Sequence, residues 1–281
     1  MKVITNVNKM QSWSEIMHRK GKSIGFVPTM GYLHQGHLGL MHRARRENDF
    51  LAISIFVNPT QFGLKEDFKR YPRDLARDKK LSKLCGVDVI FYPRVQDMYP
   101  EGYKTSVFVK DLSNVLCGVS RPGHFRGVTT VVLKLFNIIQ PDKAYFGQKD
   151  AQQAIIIKQM VKDLNLPVKI KTLPTIREKD GLAMSSRNAY LNSRQRKDAI
   201  ILFKSLQSAV GMIESGEKAP RAIVIKMRKM INAKRRARID YIKIVNINDL
   251  TEAKEIKGNL LIALAVFFGK TRLIDNVIVK A

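Results

Sequence analysis

Phe50-Leu51-Ala52-Ile53-Ser54-Ile55-Phe56-Val57 is almost wholly apolar and rich in branched side chains. A strand with one wet face alternates apolar and polar residues. A strand buried on both faces, as in a parallel sheet covered by helices, reads as an unbroken apolar run. The stretch therefore predicts a central parallel strand. Before it, Ser23–Val27 reads as a shorter strand ending at Pro28, and Gly36–Glu47 as a helix with Leu40, Met41 and Ala44 on one side. After it, helices at Asp74–Cys85, Val128–Ile139 and Asp150–Leu164 alternate with strands at Val87–Tyr92, Lys143–Phe146 and Val168–Thr172. Such alternation implies βαβ units, right-handed crossovers, and ligands outside the carboxyl ends of the strands.

The pattern changes after about Thr175. A loop rich in Gly, Ser and Arg leads to helical segments at Arg194–Glu214 and Arg221–Lys234, then to strand-like segments at Ile239–Val245, Leu260–Phe267 and Arg272–Val277. The expected fold class is α/β, a Rossmann-like doubly wound parallel sheet with a smaller C-terminal α+β domain. The expected domains are residues 1–175, for nucleotide and substrate, and residues 176–281, an α+β lid facing the first across a cleft.

The chain has 281 residues, of which 45% are apolar, enough for a sizeable core. Fifty Lys and Arg face 24 Asp and Glu, a formal charge of +26. Two readings of that charge stand together: a polyanionic partner, or a solvated basic surface. Lys218–Arg238 carries nine basic residues and no acidic one, with Ile223, Ile225, Met227, Met230 and Ile231 interleaved. This reads as an amphipathic helix with a basic, solvated outer face. Cys85 and Cys117 are the only cysteines, and no Cys/His cluster suggests a protein-held metal. The N-terminus lacks an apolar signal core, and the longest apolar stretch, Leu260–Phe268, is too short to span a bilayer. A cytoplasmic protein without a membrane partner is expected.

Five blocks carry chemistry. In Pro28-Thr29-Met30-Gly31-Tyr32-Leu33-His34-Gln35-Gly36-His37, a strand end opens a helix. Free amides and the positive dipole end attract phosphate there, and Gly31 and Gly36 permit close backbone approach. His34 and His37, three residues apart, can donate hydrogen bonds to phosphate oxygens as pyrophosphate leaves. The HxGH motif is the signature of HIGH-type nucleotidyltransferases. In Ser54–Phe62, Asn58 and Gln61 offer amides suited to hydroxyl and carboxylate groups at a second strand end. Ser120-Arg121-Pro122-Gly123-His124-Phe125-Arg126-Gly127-Val128 could bind an anion or cap an acidic surface, and both readings stay open. Lys149, in Phe146-Gly147-Gln148-Lys149-Asp150-Ala151-Gln152-Gln153, could neutralise a polyphosphate, while Asp150 could be a helix cap. The hydroxyls and guanidinium of Arg177–Asn188 suit a triphosphate on a loop that closes over substrate.

In this order and spacing, the blocks closely resemble the pantothenate synthetase family from about residue 20 to the C-terminus. Further matches are Tyr71-Pro72-Arg73, Met98-Tyr99-Pro100, Asp240-Tyr241 and Thr271-Arg272-Leu273-Ile274-Asp275-Asn276. The resemblance implies that ATP is a substrate, held by Met30, Gly31, Tyr32, Leu33, His34, Gln35, Gly36, His37, Gly147, Gln148, Lys149, Asp150, Ile176, Met184, Ser185, Ser186 and Arg187. His34, His37, Lys149, Ser185, Ser186 and Arg187 would grip its phosphates and form the catalytic set. Gln61 and Gln153, with Asn58, would hold pantoate, and Gln61 would lie near β-alanine. Mg²⁺ would bridge phosphate oxygens, with Asp78 one candidate for an outer-shell contact, although its helix position reads as surface. The family also implies a homodimer.

The sequence departs from the family's common pattern at Gln148, where Glu is usual, at Ala151, where Tyr is usual, and at Lys243 and Cys117, where acidic residues are common. None of these removes a group assigned above. One alternative is another HIGH-type adenylyltransferase, against which Asn58–Phe62 and the Ser185–Asn188 loop argue. A basic nucleic-acid-binding protein is a second alternative, but no aromatic RNA-binding motif, helix-turn-helix signature or zinc finger supports specific recognition.

Overall fold

In the computed structural model, which describes residues 1–63 and 66–281, the chain divides into two units. Unit 1 comprises Met1–Ser113, Arg121–Gly147 and Ile156–Pro174; unit 2 comprises Asn114–Ser120, Gln148–Ile155 and Thr175–Ala281.

Unit 1 is built on strands β1 (Lys2–Ile4), β2 (Ile24–Thr29), β3 (Phe50–Ile55), β4 (Val89–Phe91), β5 (Lys143–Gly147) and β6 (Lys169–Leu173). They form one parallel sheet in the order β1-β4-β3-β2-β5-β6. The apolar run at 50–57 supplies β3, buried along all but its first residue. From β2 the chain steps outward through β3 and β4, then returns to the other side of β2 for β5 and β6. Strand order thus reverses beside β2, the switch point where such sheets leave a crevice for ligands.

The helices are α1 (Val7–Arg19), α2 (Gln35–Glu47), α3 (Leu75–Leu84), the short α4 (Val95–Met98) and α5 (Cys117–Ser120), α6 (His124–Ile139) and α7 (Ala151–Asp163). On one face of the sheet, Val27, Leu51 and Ile53 pack with Met41 and Ala44 of α2. Full burial of a side chain such as Leu51 or Ile53 is worth about 1.5–3 kcal/mol. On the other face, Phe26 meets Phe136 of α6 edge to face, with ring centroids 6.4 Å apart. Helix α1 was not expected from the sequence. Asn6 caps it by accepting the Lys9 amide at 3.0 Å, and Met10, Ser14 and Met17 turn inward at helical spacing.

Unit 2 has an antiparallel sheet of β7 (Ala237–Asn246), β8 (Asn259–Phe268) and β9 (Thr271–Lys280), in that order. A two-residue turn joins β8 to β9, and Gly269 takes the φ of 61° that this turn favours. The segment expected as one helix at Arg194–Glu214 forms two, α8 (Ser193–Ala199) and α9 (Ile201–Glu214), divided at Ile200. With α10 (Pro220–Asn232) they cover the sheet. Leu202, Leu206, Ile223, Met227 and Ile231 pack on Ile262, Leu264, Val266 and Phe268. Ile225 does not join this core and is 57% exposed. The apolar run at 260–268 is β8, the central strand. Among the described residues no helix is long and apolar enough to cross a membrane, and Cys85 and Cys117 are free thiols.

Candidate active site

The β2–α2 connection shapes the first part of the site. Gly31 takes a φ of +81°, which favours glycine, and a β-carbon there would come within 2.9 Å of both Asp78 and Ile55. Tyr32 follows with a φ of 52°. Asp78 holds the turn: its carboxylate accepts the Tyr32 amide at 2.8 Å and the Leu33 amide at 2.7 Å. It is 1% exposed, so the expected surface position is corrected. Its charged neighbours on α3 suggested solvent, whereas its partners lie 45 and 46 residues away. Burial pushes its carboxyl above the usual range, against the two amide hydrogen bonds.

The two histidines close the start of α2 reciprocally. The Gly36 amide donates to Nδ1 of His34 at 3.1 Å, and the His34 amide to Nδ1 of His37 at 3.3 Å. Their rings lie 4.0 Å apart between centroids. Because each Nδ1 accepts, each neutral imidazole carries its proton on Nε2, as an N–H donor at a helix N-terminus. Gln35 is exposed at the same terminus, with Gly36 beside it.

Gln61 lies beside this turn, its amide donating to Sδ of Met30 at 3.2 Å. Asn58 is 1% exposed. Its Nδ2 donates to Oε1 of Gln61 at 3.2 Å and to the Gly127 carbonyl at 3.1 Å. Its Oδ1 accepts the Thr60 hydroxyl at 3.0 Å and the Tyr99 hydroxyl at 2.8 Å. Asn58 thus fixes Gln61, and burial pushes the Tyr99 phenol up to about 12. Helix α6 meets this loop at Gly127, where a β-carbon would stand 2.3 Å from the Thr60 carbonyl oxygen.

The two open readings of Ser120–Val128 now separate for Arg121, which caps an acid. It pairs with both carboxylate oxygens of Glu66, at 2.8 and 2.5 Å. His124 accepts from Arg121 at 3.0 Å through Nε2 and donates to the Gln61 carbonyl at 2.9 Å through Nδ1.

Unit 2 gathers the other candidates around two residues of β9. Asn276 donates to the carbonyls of Gln148 and Lys149, both at 2.9 Å. Asp275 is 2% exposed and forms a bidentate pair with Arg177, at 2.7 and 3.0 Å. Ile176 and Met184 face each other, the Met184 amide donating to the Ile176 carbonyl at 3.0 Å. Gly181 turns the loop between them at a φ of +94°, against the ring of Phe203. Asn188 ties the loop to Glu178 at 2.8 Å, and Arg196 clamps Glu178 and Asp180. Ser185 accepts the Arg187 amide at 3.3 Å, opening the turn Ser186–Tyr190. Lys149 lies 3.6 Å from Asp150, which sits in a 3-10 turn before α7. Gln153 is half-buried on α7, beside Gln152, which bonds Cys117 N–H and the Val115 carbonyl.

The structure therefore brings Met30–His37, Asn58 and Gln61 together in unit 1, where β5 ends at Gly147. It places Gln148, Lys149, Asp150, Gln153, Ile176, Met184, Ser185, Ser186 and Arg187 in unit 2. Sequence reasoning missed the supports Asp78, Tyr99, Asp275 and Asn276 as supports. Their roles depend on partners distant in sequence: the Met98–Pro100 and Thr271–Asn276 blocks matched the family pattern without showing what Tyr99, Asp275 and Asn276 hold.

A family model described as pantoate-beta-alanine ligase matches residues 2–278. A pantothenate synthetase from Acetivibrio thermocellus is 56% identical over 280 residues, covering 100% of both chains. One from Caldicellulosiruptor bescii is 55% identical over 281 residues, with the same coverage. The solved pantothenate synthetase of Thermus thermophilus superposes with a TM-score of 0.93 at 43% identity, covering 99% of each chain. The pantoate-beta-alanine ligase of Francisella tularensis, solved with β,γ-ATP and β-alanine, gives 0.84 at 38% identity, covering 99% of this chain and 97% of that one.

Proposed function

This chain belongs to the pantoate–β-alanine ligase family, and from that premise we infer that it uses ATP to join pantoate to β-alanine through a pantoyl adenylate. The observation that carries this reading is the His34–His37 pair. It sets two Nε2 donors at a helix N-terminus, beside Gln61, at the switch point of a parallel sheet.

A carboxylate does not acylate an amine in neutral water, because its oxygen is a poor leaving group. Transfer of an adenylyl group removes that obstacle. A pantoate carboxylate oxygen attacks the α-phosphorus of ATP, a P–O bond forms, and the bond to pyrophosphate breaks. His34 and His37 donate to oxygens that gain charge in that step, joined by Lys149, Ser185, Ser186 and Arg187. The β-alanine amine then attacks the acyl carbon. The C–N bond forms, AMP departs with the electron pair of the C–O bond, and the amine loses a proton.

Gln61 and Gln153 orient pantoate, and Asn58 acts on it through Gln61. Ile176, Met184 and the backbone of Gly31–Leu33 bound the nucleotide. Mg²⁺ would accompany ATP and neutralise charge on its phosphates. Among the described residues no group of three or more His, Cys, Asp or Glu could hold a metal, and the Asp78 carboxylate is engaged by two amides.

The test is incubation with ATP and Mg²⁺, adding pantoate and β-alanine singly and together. Pantothenate, AMP and pyrophosphate are expected when all three substrates are present. ADP and phosphate as products, or no pantothenate, would overturn the reading.

A further inference from the structure

Lys218–Arg238 has a role in none of the chemistry above. In α10, Ile223, Met227 and Ile231 turn into the core of unit 2, while Arg221, Ile225, Arg228, Lys229 and Asn232 line the opposite, exposed face at helical spacing. Lys226 flanks this stripe, and Arg235 and Arg236 continue it in the exposed turn that follows α10. Among the described residues, only Lys234 of this stretch pairs with a carboxylate, that of Asp198 at 3.9 Å.

Helix stability does not explain the arrangement. Cations favour a helix C-terminus, which accounts for Arg235 and Arg236, but Arg221 stands in the first turn, where the dipole disfavours a positive charge. Solubility does not explain it either, since a surface shaped for that alone interleaves both signs.

The stripe selects its partner. Apart from Ile225, its apolar side is already buried, and one exposed isoleucine among arginines and lysines is not the apolar face that an interfacial helix inserts into a bilayer. Residues 218–238 include no aromatic side chain on which unpaired bases could stack. From Arg221 to Asn232 the helix spans about 17 Å at 1.5 Å per residue, comparable to about five base pairs of duplex. The major groove of B-form DNA admits a helix, and that of A-form RNA does not. We propose that the outer face of α10, with Arg235 and Arg236, docks without sequence preference on the phosphate backbone of duplex DNA.

The experiment is fluorescence anisotropy with a short random-sequence DNA duplex between about 50 and 200 mM salt. It uses the full chain without ATP, pantoate or β-alanine, so its outcome is independent of the ligase reading. The expected dependence of log affinity on log salt has a slope of about −3 to −5. Combined R221A, R228A, K229A, R235A and R236A substitutions should weaken binding at least about tenfold and flatten that slope. A control removing the same charge from exposed positions of unit 1 (K2A, K9A, K20A, K83A and K110A) should stay within about twofold of the parent. Circular dichroism melts verify that both variants fold. Equal losses in the two variants, tighter binding to single-stranded DNA or duplex RNA, or no binding by the parent chain at about 50 mM salt would overturn the proposal.

Discussion

The carboxylate of Asp78 accepts the backbone amide of Leu33 at 2.7 Å, from a helix 45 residues further along the chain. With the Tyr32 amide at 2.8 Å, this bond fixes the turn that presents His34 and His37. An Asn in its place keeps one acceptor but sets an N–H donor against the other amide. Asp78→Asn should lose about 1–3 kcal/mol of stability and raise KM for ATP while leaving KM for pantoate unchanged. A stability loss with KM for ATP intact would reduce Asp78 to a purely structural role.

His37 has two jobs that substitution can separate. It accepts the His34 amide at 3.3 Å, and on the proposed chemistry it donates to phosphate. His37→Ala should lose about 0.5–2 kcal/mol with the cap and about 10²–10³ in adenylation rate. His37→Gln restores an acceptor at the third helical position, as in a capping box. It should regain stability without regaining rate. Recovery of both would assign His37 to the cap alone.

Two helical glycines make opposite predictions. At Gly127 a β-carbon would lie 2.3 Å from the Thr60 carbonyl oxygen and 2.6 Å from the Gln61 nitrogen. Gly127→Ala must displace the Gln61 loop and should cost about 1–3 kcal/mol, with kcat/KM for pantoate falling about 10²-fold. At Gly211 in α9 nothing lies within 4 Å of the added carbon. Gly211→Ala should stabilise by about 0.4–1 kcal/mol. Chemical denaturation of both variants, with steady-state kinetics for the first, measures these outcomes.

The fold was legible where burial is written locally. The unbroken run at 50–57 marked β3, and the turn residues between Val27 and Gly36 marked the switch-point loop. Helix α1 was missed because only Met10, Ser14 and Met17 turn inward along thirteen mostly polar residues. The break at Ile200 was missed because its backbone stays in the right-handed helical region, with φ −57° and ψ −24°. In the site, the candidate ligand-binding residues were legible as motifs, whereas the residues that hold them were not. Asp78 resembles any surface acid until its partners at 32 and 33 are known. Arg121 could not be assigned from sequence, because its partner Glu66 lies 55 residues away.

Acid should weaken the junction of β2 and β3. Asp49 accepts from the Ser23 amide, the Ser23 hydroxyl and Lys22, at 3.0, 2.8 and 3.2 Å. These bonds lower its carboxyl from 3.8 to about 2, the Ser23 amide most of all. A pKa lower in the folded than in the unfolded state gives a contribution that is full above the unfolded value and lost as pH falls through the folded one. Stability should therefore decline between about pH 5 and 2, and Asp49→Asn should flatten that decline. Thermal melts across this range test it; identical slopes for parent and variant would refute the assignment.

The most direct test of the adenylate follows one oxygen atom. Pantoate labelled with ¹⁸O in its carboxylate is incubated with ATP, Mg²⁺, β-alanine and the enzyme, and the phosphorus products are analysed by mass spectrometry. Attack on the α-phosphorus, followed by cleavage of the acyl C–O bond, predicts one ¹⁸O in AMP and none in pyrophosphate. Label in inorganic phosphate, or unlabelled AMP formed alongside pantothenate, would contradict the pantoyl adenylate.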